Sequence, residues 1–305
     1  MEVVVTGASG FVGTNLVAYL NSKNIKSINL SLRNFDWQSH FKPNTQALIH
    51  LAGKAHDTSN SSNPEEYYKI NRDLTIQVFD LFLKSEIKDF FYFSSVKAVA
   101  DTIDVPLTEE RVPNPVTPYG KSKLEAETYL VNQVLPEGKR LFIIRPSMIH
   151  GPGNKGNLNL LYKIVRKGLP WPLGAFTNQR SFLSIDNLCF MLLQILLNRK
   201  IESGIYNFAD DGLVSTNELI GIIGSSLGRE TKIYKIPKLI ISNLVKVGDY
   251  FPFPINSERL KKLTESYIVS NAKIKSALNI SNLPLTSEAG LLKTLNSFQT
   301  SNTLR

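Results

Sequence analysis

Along the first 150 residues two kinds of apolar run alternate. The short, continuous ones, "EVVVTG", "SINLSL", "ALIHLAG", "DFFYFSS" and "RLFIIRP", are rich in Val, Ile, Leu and Phe and predict strands. Between them, "GTNLVAYLNSK", "DLTIQVFDLFLKSE" and "YGKSKLEAETYLVNQV" space their apolar residues as helices do. Strands without polar alternation are covered on both faces, which implies a parallel sheet with helices on either side. Strand and helix in turn therefore predict an α/β fold built on a doubly wound parallel sheet of Rossmann type.

After Pro146 the texture changes. "HGPGNKGNLN" and "KGLPWPLGAFTNQRS" mix Gly, Pro and Asn with aromatics and read as loops that line a site. A helix is expected from about Asp186, then the strand "GIYNFAD", then mostly helical sequence. Residues 1–150 are assigned to a dinucleotide-binding domain, to which segments near 181–210 return. Residues 151–305 are assigned to a smaller, interleaved substrate domain.

Composition narrows the class. A chain of 305 residues, 42% hydrophobic, can bury one large or two modest cores. No apolar run reaches the roughly 18 residues of a membrane span, and "MEVVVTGASG" has no basic segment followed by an apolar one, so a cytoplasmic location is expected. The single cysteine, Cys189, sits in "NLCFMLLQILL" and reads as a small core residue. His40, His50, His56 and His150 share no metal-ligand spacing, so no structural zinc is expected. The formal charge of +9 asks for an acidic partner, yet the basic residues are dispersed without an arginine-rich arm. Phosphate-bearing small ligands fit that distribution and nucleic acid does not. The densest basic stretch is "KIYKIPKLIISNLVKVGDY", Lys232 to Tyr250, for which packing on the second core is favoured over contact with a membrane surface.

"TGASGFVG" places Gly7, Gly10 and Gly13 directly after the first strand and at the head of the first helix. Gly7 suits a tight turn, Gly10 lets backbone approach a pyrophosphate, and Gly13 lets helix and strand pack closely, while the helix N-terminus offers N–H groups to the anion. The dinucleotide is read at the end of the second strand, where a carboxylate would bind both ribose hydroxyls of NAD. Here "SINLSLRN" puts Ser31 at that position and Arg33 two residues on. A serine and an arginine accept a 2′-phosphate, so NADP(H) is the preferred cofactor and NAD(H) the second choice.

In "TPYGKSKLEAE", Tyr119 and Lys123 are four apart and share a helix face if the helix starts near Pro118. An ammonium and a helix N-terminus both favour a phenolate, so Tyr119 is expected to be acidified below the usual tyrosine pKa of about 10. Upstream, "FYFSSVKAVAD" ends a strand in Ser94 and Ser95, where a hydroxyl faces the ligand crevice. Ser95 is the candidate partner of Tyr119, with Ser94 the neighbour that could replace it.

With these residues in place the chain resembles the extended short-chain dehydrogenase/reductases, in the NAD-dependent epimerase/dehydratase branch that acts on nucleotide sugars. "TGASGFVG", "ALIHLAG", "YKINRDLT", "YFSSVKAV", "PYGKSKLEAE", "IIRPSMIHGPG" and "RSFLSIDNL" carry the resemblance over nearly the whole length. The substrate region is similar to 4-reductases and 4-epimerases of N-acetylated 6-deoxyhexoses in surface-polysaccharide synthesis. The resemblance implies that Gly7, Gly10, Phe11, Val12 and Gly13 hold the pyrophosphate, Arg33 with Ser31 the adenosine end, and Leu51 with Ala52 the ribose. It further implies that Asn71 supports the nicotinamide half, that Lys123 holds its ribose, and that Pro146 and Met148 back the ring. Ser95 and Tyr119 would touch the reacting oxygen, and Asn157 and Arg180 would bind the UDP-sugar.

Three departures bear on activity. Gln46 stands where the family has a carboxylate, "AVA" at Ala98 to Ala100 replaces a frequent "VYG", and Val96 and Lys97 replace the Asp-Glu pair of 4,6-dehydratases. The expectation is thus an NADP(H)-linked oxidoreductase at C4 of a UDP-linked N-acetyl sugar, reducing a 4-keto-6-deoxy intermediate. The alternatives are a 4-epimerase of nucleotide- or polyprenyl-diphosphate-linked sugars with retained NAD, and a cofactor-sensing protein without catalysis. A homodimer through the Tyr119 helix and its predecessor is implied by the resemblance alone.

Overall fold

The computed structural model describes residues 1–55, 63–154, 156–248 and 256–303; His56 lies outside them. The chain divides into two compact units, with elements numbered along the whole chain.

The first unit comprises Met1–Ser147, Ile185–Ala209 and Val269–Pro284. Its elements begin with β1 (Glu2–Thr6), α1 (Phe11–Ser22), β2 (Lys26–Leu30), β3 (Ala47–His50), α2 (Pro64–Tyr67), α3 (Leu74–Leu83), β4 (Asp89–Phe93), α4 (Pro118–Val131) and β5 (Arg140–Pro146). Later segments add α6 (Ile185–Leu197), β8 (Gly204–Phe208) and α10 (Ala272–Leu278). The sheet is parallel throughout, in the order β2-β1-β3-β4-β5-β8, with Val4 beside Ile28 on one side and Leu48 on the other. Residues 3–5, 48–49, 90–92 and 142 are fully buried, as strands covered on both faces must be. The chain runs out to β2 and returns across β1 to β3, so its winding reverses between β1 and β3. In open α/β sheets the ligand crevice lies outside the strands' carboxyl ends at that point. At the opposite, amino-terminal edge, Asp89 is clamped by Arg140 at 2.8 Å and Arg199 at 2.7 Å.

Two local departures from the pattern shape the crevice. β2 stops at Leu30 and β3 at His50, short of the runs "SINLSL" and "ALIHLAG", because the chain leaves the sheet there to form the rim. The helix expected from Asp73 is preceded by α2 and a π-helical turn, Tyr68–Asp73. Such widened turns recur at functional sites, and apolar periodicity does not reveal them. Cys189 is a buried thiol in α6, outside any disulfide.

The second unit comprises Met148–Ser184, Asp210–Ile268 and Leu285–Arg305. Here β6 (Met148–His150), β7 (Arg180–Ser184) and β9 (Leu213–Val214) form a small mixed sheet, although the sequence pattern marked neither β6 nor β7 as a strand. Around it lie α5 (Asn157–Arg166), α7 (Thr216–Ser226), α8 (Lys238–Gly248), α9 (Ser257–Thr264) and α11 (Ser287–Thr303). Trp171, Leu219, Ile220, Ile223, Leu291 and Leu295 are part of its core. A capping box, Ser215 with Glu218, starts α7.

Candidate active site

The first turn is built around glycine. Gly7 has φ +69°, and a Cβ there would stand 2.6 Å from the Ala52 nitrogen, so only glycine brings the turn against the exit of β3. A Cβ on Gly13 would stand 2.3 Å from the Gly7 carbonyl oxygen, which fixes α1 close to the turn. Gly10 precedes α1, no side chain caps the helix, and its first turn contains no acidic residue. A backbone cradle at an uncapped helix N-terminus suits a pyrophosphate.

From β3 a buried polar chain leads inward. The Ala52 N–H donates to Thr6 Oγ1 at 3.2 Å, Thr6 Oγ1 lies 2.8 Å from His50 Nδ1, and His50 Nε2 lies 3.0 Å from Thr75 Oγ1. Thr75 in turn donates to the Asn71 carbonyl at 2.8 Å. Because Thr75 spends its one proton on Asn71, Nε2 must carry the His50 hydrogen and Nδ1 must accept from Thr6. Complete burial, with the Lys123 charge adding to it, holds His50 down to about 3, so the ring is neutral.

The π-helical turn presents Asn71 at the end of this chain. Its side chain accepts from the Lys54 N–H at 2.8 Å and donates to the Lys54 carbonyl at 3.1 Å and to Ser122 Oγ at 3.2 Å. Gly53, which the sequence reading passed over, is the close-approach point. A Cβ there would lie 3.0 Å from Asn71 Oδ1 and 3.2 Å from Lys123 Nζ. Lys123 is buried, donates to the Phe93 carbonyl at 2.8 Å, and has its Nζ 4.9 Å from the centre of the Tyr92 ring. Burial pushes its ammonium down to about 8, against the attraction of Glu127. Glu127, one turn further along α4, is paired with the buried Arg145 at the end of β5.

Tyr119 sits in the first turn of α4 and hydrogen-bonds Ser95. Thr117 caps the helix by accepting the Gly120 N–H at 3.2 Å, and Asp101 fixes the cap by accepting the Val116 N–H at 2.8 Å and the Thr117 hydroxyl at 3.1 Å. Gly120 allows the approach itself, since a Cβ there would stand 2.4 Å from the Lys97 carbonyl oxygen in the turn after Ser95. Neither Asp101 nor Gly120 was picked out from the sequence; a glycine in a helix's first turn, where it costs helix stability, was the available signal. The expected acidification of Tyr119 is not found. Burial dominates and raises the phenol above its ordinary value, the Ser95 hydrogen bond pulls it back, and the neighbouring Tyr67 ring, 6.1 Å away, adds to the rise. The physical reason is that the Lys123 ammonium is directed to the Phe93 carbonyl.

Just beyond the carboxyl ends of β4 and β5, the hydroxyls of Ser94 and Ser147 are buried without a hydrogen-bond partner. Together with the glycine cradle and Lys123, these unsatisfied groups fit a polar ligand along the carboxyl ends of the strands. Leu51 and Ala52 follow β3, and Pro146 ends β5. Ser31 and Arg33 follow β2 and are exposed. Met148, Asn157 and Arg180 belong to the second unit. Met148 opens β6 and Asn157 opens α5, with the Asn157 side chain outside the described residues. Arg180 opens β7 and donates to the Lys262 carbonyl; burial lowers its pKa, against Glu265. Among the described residues no helix is long and apolar enough to cross a membrane.

A parallel sheet, a glycine turn at its switch point and a Ser-Tyr-Lys set at the neighbouring strand ends define a nicotinamide-dinucleotide enzyme of the short-chain dehydrogenase type. The chain belongs to the NAD dependent epimerase/dehydratase family, whose model matches residues 3–209. It is 29% identical over 259 residues to UDP-glucose 4-epimerase of Vibrio cholerae, covering 77% of this chain and 79% of that one. It is also 29% identical over 301 residues to N-acetyl-alpha-D-glucosaminyl-diphospho-ditrans,octacis-undecaprenol 4-epimerase of Escherichia coli O157:H7, covering 90% and 84%. GDP-6-deoxy-D-mannose reductase of Pseudomonas aeruginosa is 27% identical over 254 residues, covering 77% and 83%. The fold matches the structure of RMD from Pseudomonas aeruginosa complexed with NADPH, with a TM-score of 0.74 at 23% identity over 100% of this chain and 99% of that one.

Proposed function

We propose that this chain is an NADP(H)-dependent oxidoreductase acting at C4 of a UDP-linked N-acetyl hexose, reducing a 4-keto-6-deoxy sugar for surface-polysaccharide synthesis. The observation that carries the reading is the Tyr119–Ser95 hydrogen bond at the head of the helix that buries Lys123. The nicotinamide, when bound, supplies the hydride. Tyr119 gives its phenolic proton to the sugar oxygen, and Ser95 orients that oxygen by hydrogen bonding. The buried phenol, held above its ordinary value, carries the proton that this step gives up. Lys123, mostly protonated below about 8, gives one N–H to Phe93 and has others for a ribose hydroxyl. The Ser95 hydrogen bond, which pulls the phenol back toward its ordinary value, steadies the phenolate left behind. Asn71 donates to Ser122, the residue before Lys123, and Gly53 leaves the room the lysine's ammonium occupies. Ser31, standing where a carboxylate would read NAD, and the exposed Arg33 support a 2′-phosphate and hence NADP(H). In the second unit, Arg180 is assigned to the diphosphate of the UDP-sugar and Asn157 to its sugar end. A homodimer through α4 and its predecessor belongs to the same proposal.

A second reading is favoured by the two 4-epimerase relatives: oxidation and re-reduction of the same carbon with a retained NAD. Incubation with NADPH and UDP-4-keto-6-deoxy-N-acetylglucosamine separates them. The reductase consumes NADPH and yields a product of one C4 configuration. An epimerase interconverts UDP-N-acetyl sugars without net consumption and releases NAD when denatured. Tyr119→Phe is expected to lower turnover by about 10²–10⁴-fold with nucleotide binding retained; undiminished turnover would remove Tyr119 from the mechanism.

A further inference from the structure

We propose that the outer face of α8, with the segment leading into it, docks on an anionic phospholipid bilayer. The helix has two faces of opposite logic. Ile241 and Val245, one turn apart, are 6% and 4% exposed and belong to the core of the second unit. Leu239, Ile240 and Leu244 are 74%, 50% and 64% exposed, and the preceding Ile233 and Tyr234 add 37% and 51%. The sequence pattern accounts for the inner face by core packing and leaves the outer one unexplained. A helix covering a soluble core ordinarily turns polar residues outward, and apolar groups gathered on one short stretch mark an interaction surface.

Charge identifies the occupant. From Thr231 to Gly248 the sequence contains no Asp or Glu, while Lys232, Lys235, Lys238 and Lys246 are all exposed. Lys238 lies over the Phe176 ring at 5.6 Å. On the adjoining α9 and the residue after it, Glu258 and Glu265 pair with that helix's own Lys262 and Lys261, at 2.5 and 3.4 Å. The backbone before α8 is anchored, with the Trp171 N–H donating to the Lys232 carbonyl and the Tyr234 N–H to the Trp171 carbonyl, each at 2.8 Å. The lysines and exposed aliphatics are therefore carried on a fixed support. Leucine and isoleucine side chains flanked by lysines that form no ion pair among the described residues suit shallow insertion between acidic headgroups. Two copies of the same patch would set lysine against lysine, which argues against self-association. The contact is peripheral, since no described helix is long enough to span.

The test is co-sedimentation of the full chain with phosphatidylcholine vesicles, with and without phosphatidylglycerol. Binding is expected only with phosphatidylglycerol and should weaken as salt rises. Each of Lys232→Gln, Lys235→Gln and Lys246→Gln should weaken it about fivefold. Leu239→Ser with Leu244→Ser should abolish it without altering the circular dichroism spectrum or turnover of a soluble substrate. Equal binding to neutral vesicles, no binding to either, or unchanged binding by the folded variants would overturn the proposal. So would concentration-dependent dimerisation that the leucine variants abolish, since a second copy would then be the occupant.

Discussion

Lys123 is a buried cation whose removal separates function from stability. Its ammonium is pushed from an ordinary 10.5 to about 8, so keeping it charged inside the fold at neutral pH costs about 3 kcal/mol relative to the unfolded chain. Lys123→Met preserves most of the volume and removes that cost, while losing the hydrogen bond to the Phe93 carbonyl, worth about 1–2 kcal/mol. The variant should therefore be more stable by about 1–2 kcal/mol at pH 7 and, on the proposed mechanism, inactive. The sign with pH follows from proton binding. Between about 8 and 10.5 the unfolded chain holds a proton on Lys123 that the folded chain has released, so wild-type stability from this group rises with pH across that window. The advantage of the variant should shrink by about 2 kcal/mol between pH 7 and about pH 9.5. Urea unfolding followed by tryptophan emission measures it, with Trp171→Phe isolating Trp37, a core residue of the first unit. A variant less stable than wild type at pH 7, or an offset independent of pH, would refute the claim that the ammonium is held at a cost.

Three further outcomes are expected. Gly7→Ala meets both φ +69° and the Ala52 nitrogen at 2.6 Å, so it should lose about 1–2 kcal/mol from backbone strain alone and abolish the thermal shift produced by NADP; a normal shift would mean the turn does not bind the nucleotide. Arg145→Met leaves Glu127 buried and unpaired and should cost about 3–5 kcal/mol by urea unfolding, whereas Glu127→Gln with Arg145→Met should recover most of it; equal losses would contradict the pairing argument. His50, held at about 3 from an ordinary 6.5, binds its proton only in the unfolded chain across that range, so stability should fall as pH drops through it, and His50→Gln should flatten the acid limb by up to about 4–5 kcal/mol; superimposable acid transitions would exclude His50 as the cause.

Much of the first unit was legible in the chain. Short continuous apolar runs rich in Val, Ile and Phe and bounded by turn residues read as strands covered on both faces, and glycines between a strand and a helix constrain the turn regardless of what packs around them. The order of Gly7, Ser95, Tyr119 and Lys123 was therefore readable as a glycine turn, a strand-end hydroxyl and a tyrosine and lysine on one helix face. What remained hidden depended on contacts between distant segments. Gly53 and Gly120 look like ordinary glycines until Lys123 and the Lys97 carbonyl are seen lying against them. The π-helical turn at Asn71 adds a residue without disturbing the local pattern, and the short strands β6 and β7 exist because each supplies the other's edge. The pKa of Tyr119 was decided the same way. Spacing along α4 puts Lys123 on its face, but only the position of the Phe93 carbonyl determines where that charge is directed, and burial then raises the phenol instead of lowering it. Sequence fixes which groups can meet through the periodicity of helix and strand; solvent exclusion and hydrogen-bond direction, which set the chemistry, arise only when the chain has closed around them.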